Sequence, residues 1–203
     1  LRPDDFDMEK KVILEEIQMY LDQPPFGMDD RIKALHMGRH PLAKSVLGTS
    51  DSVGALTPEQ MRKYFDSRYA ADNVFVAAAG KVNFEALIEQ VAKRCSDWKP
   101  QSAQRDIPRA TSKKKFEVVH RPTCTQEYVL QLADAPASED RDRYAAKLLA
   151  TIVGDDSGSR MYWELVDPGL AETASLGHYE YLGAGMFYTW LACEPDDVQD
   201  NLE

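Results

Sequence analysis

The 203 residues carry 34 acidic against 24 basic side chains, a net charge of −10, and 43% of them are hydrophobic. That is enough apolar chain for a core, and the surplus of acid argues against nucleic acid and anionic membranes as main partners. No apolar run reaches the length of a membrane span. The opening LRPDDFDMEKK has neither an initiator Met nor a signal-peptide pattern, so the chain reads as a segment of a longer protein.

A first helix is expected from about Asp5 to Leu21, stopped by Pro24 and Pro25. On a helical projection, Phe6, Val12, Ile13, Ile17, Met19 and Tyr20 share one broad apolar arc. Glu9 and Glu16, seven residues apart, sit about 20° from each other within that arc. Glu15 points away. A loop-rich stretch then includes HMGRHPLAKSVLGTSDSVGAL. TPEQ opens the next helix, with Thr57 as N-cap, Pro58 in first position and Gln60 closing a capping box; this helix should reach about Tyr69. NVFVAAAG reads as a short buried strand ending at Gly80. Asn83 can cap a helix whose apolar face is Phe84, Leu87, Ile88, Val91 and Cys95.

Residues 99–115, KPQSAQRDIPRATSKKK, are basic, contain two prolines and read as a solvated linker. Strands are expected at FEVVH and EYVLQLAD, a helix around SEDRDRYAAKLLATIVG, a short helix at SGSRMYWELVD and a strand at GMFYTWLAC. The pattern is mixed α and β in two halves. Cys95, Cys124 and Cys193 form no CxxC pair and are odd in number, which fits free or buried thiols better than a zinc knuckle or a disulfide framework. GDDSGSR lacks the lysine of a phosphate loop.

An unpaired carboxylate on a buried face must be protonated, paired or bound to metal. Residue geometry alone leaves three readings of Glu9 and Glu16: buried structural acids, acids on a face that still touches water, or a metal ligand with its supporting acid. His36 and His40 are four apart, but Gly38 and Pro41 oppose a continuous helix presenting both, so both read as loop histidines. His120 and His178 are isolated.

The order of features carries a resemblance. MEKKVILEEIQMYLDQPP, followed by HPLAKSVLGTSDSVGALTPEQMRKYFDSRYAADNVFVAAAGKVNFEALI, resembles the pitrilysin/insulinase family of zinc metallopeptidases, in particular the mitochondrial processing peptidase branch and its bacterial relatives. Residues 6–95 carry most of the likeness; residues 116–193, especially SGSRMYWEL, resemble the family's second domain. The resemblance implies an α+β fold of metallopeptidase-like two-layer α/β sandwiches, incomplete at both ends. Residues 1–98 would be the C-terminal part of the zinc-bearing domain, 99–115 the linker and 116–203 the N-terminal part of the second, non-zinc domain. It also implies zinc, held by two histidines of a His-x-x-Glu-His motif and a distal Glu. Carried over, Glu16 is that distal ligand and Glu9 the acid that supports the site.

Two departures stand beside the resemblance. His-x-x-Glu-His occurs nowhere in these residues and would precede Leu1, so this segment alone would be inactive. Many relatives also carry an Arg and a Tyr that grip the substrate backbone; the matching positions here are Val166 and Glu172. Together these imply the zinc-bearing half of a peptidase that hydrolyses peptides or presequences in an enclosed chamber. A complementary half or subunit would supply the Arg/Tyr grip. The bacterial periplasm or cytoplasm, or the mitochondrial matrix, are the compartments that fit. The rivals are a non-catalytic homologue acting as scaffold or partner subunit, and an acidic peptide-binding module outside the family.

Overall fold

The computed structural model describes residues 2–22, 27–103, 105–122 and 124–203. The stop expected at Pro24 and Pro25 lies outside them. Helices follow in the order α1 (Pro3–Asp22), α2 (Met28–Met37), α3 (Ser50–Gly54), α4 (Pro58–Arg68), α5 (Phe84–Cys95), α6 (Arg143–Gly154) and α7 (Val198–Asn201). Strands are β1 (Glu127–Asp134), β2 (Thr173–Tyr181) and β3 (Ala184–Cys193). The chain divides into two units, Leu1–Leu14 with Ser50–Asp106 and Glu15–Thr49 with Ile107–Glu203. The single helix α1 contributes to both.

In the first unit, α4 begins where its sequence says it should. Thr57 Oγ1 accepts from the Gln60 backbone N–H at 3.3 Å, and Gln60 Oε1 accepts from the Thr57 N–H at 2.9 Å. Two amide donors that helix geometry leaves without partners are thus satisfied reciprocally. Asn83 caps α5 in the same manner, its Oδ1 accepting from Ala86 N at 3.0 Å. The strand expected at NVFVAAAG is absent: residues 74–79 have no regular structure, and Phe75 is 98% exposed. The expected strand FEVVH, in the second unit, is likewise irregular, with Phe116 and Val118 exposed. Both corrections share one cause. A strand exists only through hydrogen bonds to a neighbour, and neither segment belongs to the sheet formed among the described residues.

The second unit is built on that sheet, ordered β1-β3-β2 and antiparallel throughout. Glu127 pairs with Cys193 and Thr173 with Ala192, so β3 lies in the centre. Its sequence AGMFYTWLAC is apolar almost without alternation, as befits a strand covered on both faces. Successive side chains point to opposite faces. Met186 packs with Met37, Ala184, Leu42 and Leu132 under α2. Leu191 and Cys193 pack on the other face with Ala174, Leu165 and Val166. The helical turn expected at SGSRMYWELVD is a π-turn, Tyr162–Val166, closing this second cluster.

Helix α6 lies against β2 with its small residues inward. Ala146, Ala150 and Gly154 are buried. A Cβ on Gly154 would fall 2.1 Å from the Leu176 backbone nitrogen, a separation that only displacement of the helix end or the strand relieves. Gly154→Ala should therefore destabilise the second unit by about 1–3 kcal/mol, as overpacking against rigid backbone does. Urea denaturation followed by circular dichroism measures this, and an unchanged midpoint would contradict the close approach.

Candidate functional site

Glu9 and Glu16 both stand on α1, two helical turns apart, or about 10.5 Å along the axis. Among the positions of this helix whose burial is described, Phe6 and Ile17 are the buried ones. Ile13 is half-buried, and the rest of the apolar arc faces solvent, with Val12, Met19 and Tyr20 between 39% and 45% exposed. Glu9 and Glu16 are exposed with it. The carboxylates thus share a face with apolar side chains, as their spacing indicates, but the face is not covered. Water solvates them, and no buried-charge penalty arises in this chain.

The histidines fall elsewhere. His36 is helical and buried, not in a loop, because α2 extends to Met37 before Gly38, at φ +61°, ends it. Its Nε2 lies 3.2 Å from Asp134 Oδ1, without the alignment of a hydrogen bond. Asp134 Oδ2 accepts from the Ser112 hydroxyl at 2.6 Å. His40 is the loop residue the sequence indicates. Its Nδ1 accepts from Leu42 N at 3.2 Å, so its Nε2 carries the proton and donates to Pro108 O at 3.0 Å. His178 Nε2 contacts Pro136 O at 2.9 Å, and His120 is exposed. Among the described residues, no three His, Cys, Asp or Glu side chains converge into a metal-binding group. Two exposed carboxylates fit one edge of a zinc site, since zinc accepts carboxylate oxygen beside imidazole nitrogen. They do not make a whole one.

The basic stretch is more ordered than its composition suggests. In the first unit Asp72 accepts from Gln101 N and Ser102 N at 3.0 and 2.7 Å. Those amide donors hold its carboxyl below the usual range. In the second unit, Ala110 N donates to Gly183 O at 3.1 Å and Lys113 N to His36 O at 3.0 Å. Arg31 on α2 pairs with Glu117. Residues 107–117 are thus an exposed strap whose backbone is tied to α2 and the β2–β3 turn. The stretch contains no apolar periodicity to signal this; its backbone makes the contacts. Val166 sits half-buried in the cluster against β3, and Glu172 is exposed, accepting from the Gln126 side chain. Neither offers a guanidinium or a phenol. Cys95 and Cys124 are half-buried and Cys193 buried, all as free thiols.

A family model described as the peptidase M16 inactive domain matches residues 55–203. The chain belongs to the M16 peptidase family. It is 30% identical to an uncharacterised zinc protease of Streptomyces coelicolor, over the whole of this chain and 46% of that protein. It is 25% identical to the mitochondrial-processing peptidase subunit beta of Dictyostelium discoideum, over 96% of this chain and 44% of that one. The crystal structure of an M16 inactive domain from Pseudomonas fluorescens superposes with a TM-score of 0.87 at 22% identity, covering 99% of this chain and 51% of its own. That likeness bears out the M16-type α+β fold. The chain spans about half the length of the curated M16 relatives it matches. Among the described residues no helix is long and apolar enough to cross a membrane.

The clip between α2 and the strap is open to test. Arg31 holds the Glu117 carboxyl below its ordinary range by hydrogen bonding and charge. A lowered acid pKa means that the contribution of the pair is present above the unfolded carboxyl's pKa and is lost as pH falls through the folded one. In Arg31→Gln, the Glu117 titration midpoint followed by NMR should move up toward the usual glutamate value. A midpoint unmoved by the substitution would remove the clip.

Proposed function

We propose that this M16 chain is part of a zinc metalloendopeptidase and carries the carboxylate side of its metal site. The observation that supports this most is the pair of exposed acids, Glu9 and Glu16, on one side of α1. Glu16 would be an oxygen ligand of zinc, and Glu9 would orient a neighbouring ligand by hydrogen bonding. The nitrogen ligands, two histidines, would come from chain outside these residues. When bound, zinc supplies Lewis-acid chemistry toward a peptide carbonyl and water. Exposed carboxylates suit the role because they reach a donor set assembled against α1 without first being drawn out of a core. The apolar side chains around them would keep water sparse once the face is covered, and this strengthens the charge interactions there.

With Val166 and Glu172 where relatives of this type carry Arg and Tyr, the backbone grip on the substrate would come from a complementary half or subunit. The processing-peptidase relative is itself named as one subunit, beta. The substrate would be an unfolded peptide or presequence enclosed between the halves. A second reading is a non-catalytic scaffold or partner subunit; the description of the matched family model as an inactive domain favours it.

The two readings part on metal content. In the full-length protein, Glu16→Gln should lower bound zinc, measured by atomic absorption after dialysis, and remove peptidase activity. Glu9→Gln should leave the metal bound more weakly, by about 10–100-fold in affinity, as loss of a supporting hydrogen bond does. A wild-type full-length protein that binds no zinc would instead establish the scaffold reading.

A further inference from the structure

Glu9 and Glu16 point in one direction only if the rotation of α1 about its own axis is fixed, and acids that face water cannot fix it themselves. Their neighbour Lys10 can. Its Nζ donates to the Leu56 carbonyl at 3.0 Å, a contact within the first unit. Leu56 immediately precedes Thr57, whose capping box starts α4. The lysine thus ties α1 to the joint between α3 and α4. The same ammonium stands 5.9 Å from the centroid of the Phe6 ring, at the outer reach of a cation–π contact. Phe6 is buried and Lys10 half-buried. At ~100° per residue, Lys10 lies about 40° to one side of Phe6 and Glu9 about 60° to the other. The anchored edge of the helix and the side that carries the acids are therefore distinct, and the first sets the direction of the second.

We infer, on the reading of Glu16 as a zinc ligand, that Lys10 is a positioning residue: its bond to Leu56 sets the roll of α1 and so the direction of Glu9 and, two turns further along the same side, Glu16. Side-chain tips stand about 5–6 Å from a helix axis, so a roll of about 20° carries a carboxylate about 2 Å sideways. Metal–ligand distances hold to about 0.2 Å. The packing of Phe6 restrains such a roll poorly, because apolar burial has no direction. A hydrogen bond does, and weakens steeply when bent. The bond acts through the helix and touches neither acid.

Chelator competition for zinc on the full-length protein tests this, beside thermal melting of the zinc-free form. Lys10→Met keeps the aliphatic stem and removes the donor. It should weaken zinc binding by about 10-fold, the lower end for a group that orients a ligand, and shift the zinc-free melting temperature by no more than about 2 °C. Removing a cation would by charge alone strengthen zinc binding, so a loss of affinity reports position. Lys10→Arg, which can still donate to the Leu56 carbonyl, should recover most of the loss. Unchanged affinity in Lys10→Met overturns the inference. So does a loss that arginine does not recover, or one accompanied by a larger fall in melting temperature, which marks a merely structural contact. Glu16→Gln in the same assay separates the two readings. Zinc lost in Glu16→Gln but kept at full affinity in Lys10→Met removes the role of Lys10 alone. Zinc kept in both, or absent from the wild type, removes the metal-site reading and the role of Lys10 with it.

Discussion

The antiparallel pairing of β3 with both β1 and β2 is the constraint from which the second unit follows. A central strand has no free edge, so its amides and carbonyls are committed on both sides, and its two faces must each be covered. Met186 and Leu191, five residues apart on that strand, therefore point to opposite faces. They draw α2 and the strap to one and the π-turn with α7 to the other. The close seat of Gly154 on Leu176 fixes α6 beside them. Elements far apart in sequence are thus ordered by one ten-residue strand.

What was legible in the sequence was local. The capping box of Thr57 and Gln60 and the Asn83 cap need only a few consecutive residues, and both helices begin where these place them. β3 is a long apolar run and β1 is rich in apolar and aromatic side chains between polar ends, and both stand as read. β2, TASLGHYEY, escaped because Gly177 and its polar neighbours weaken the strand signal; its register with β3 holds it. NVFVAAAG and FEVVH carry a good strand signal without a neighbour to pair with, so pattern and structure part there. α2 was hidden by the eye-catching His36–Gly38–His40 spacing, although its two acids in the first turn and its following glycine are ordinary helix signals.

The candidate site shows the same division. That Glu9 and Glu16 lie on one side of α1 follows from a helical period. Whether that side is buried depends on what packs against it, and this a period cannot say. In this chain Phe6 and Ile17 form the covered edge and the acids lie beyond it. The strap was illegible for a different reason. Beside the side-chain contacts of Ser112 and Glu117, its bonds run through main-chain atoms of Ala110, Lys113 and Pro108, and main chain has no residue type to read.

His40 has a chemical consequence of its own. With its Nδ1 lone pair engaged by the Leu42 amide and its Nε2 proton given to Pro108, the imidazole has no electrons left to lend. A transition metal or an acylating reagent seeking this nitrogen must first undo the start of the helical turn at Pro41–Ala43. The ring is thereby made a poor nucleophile by its own neighbours, and it serves as a mortise that joins two stretches of backbone.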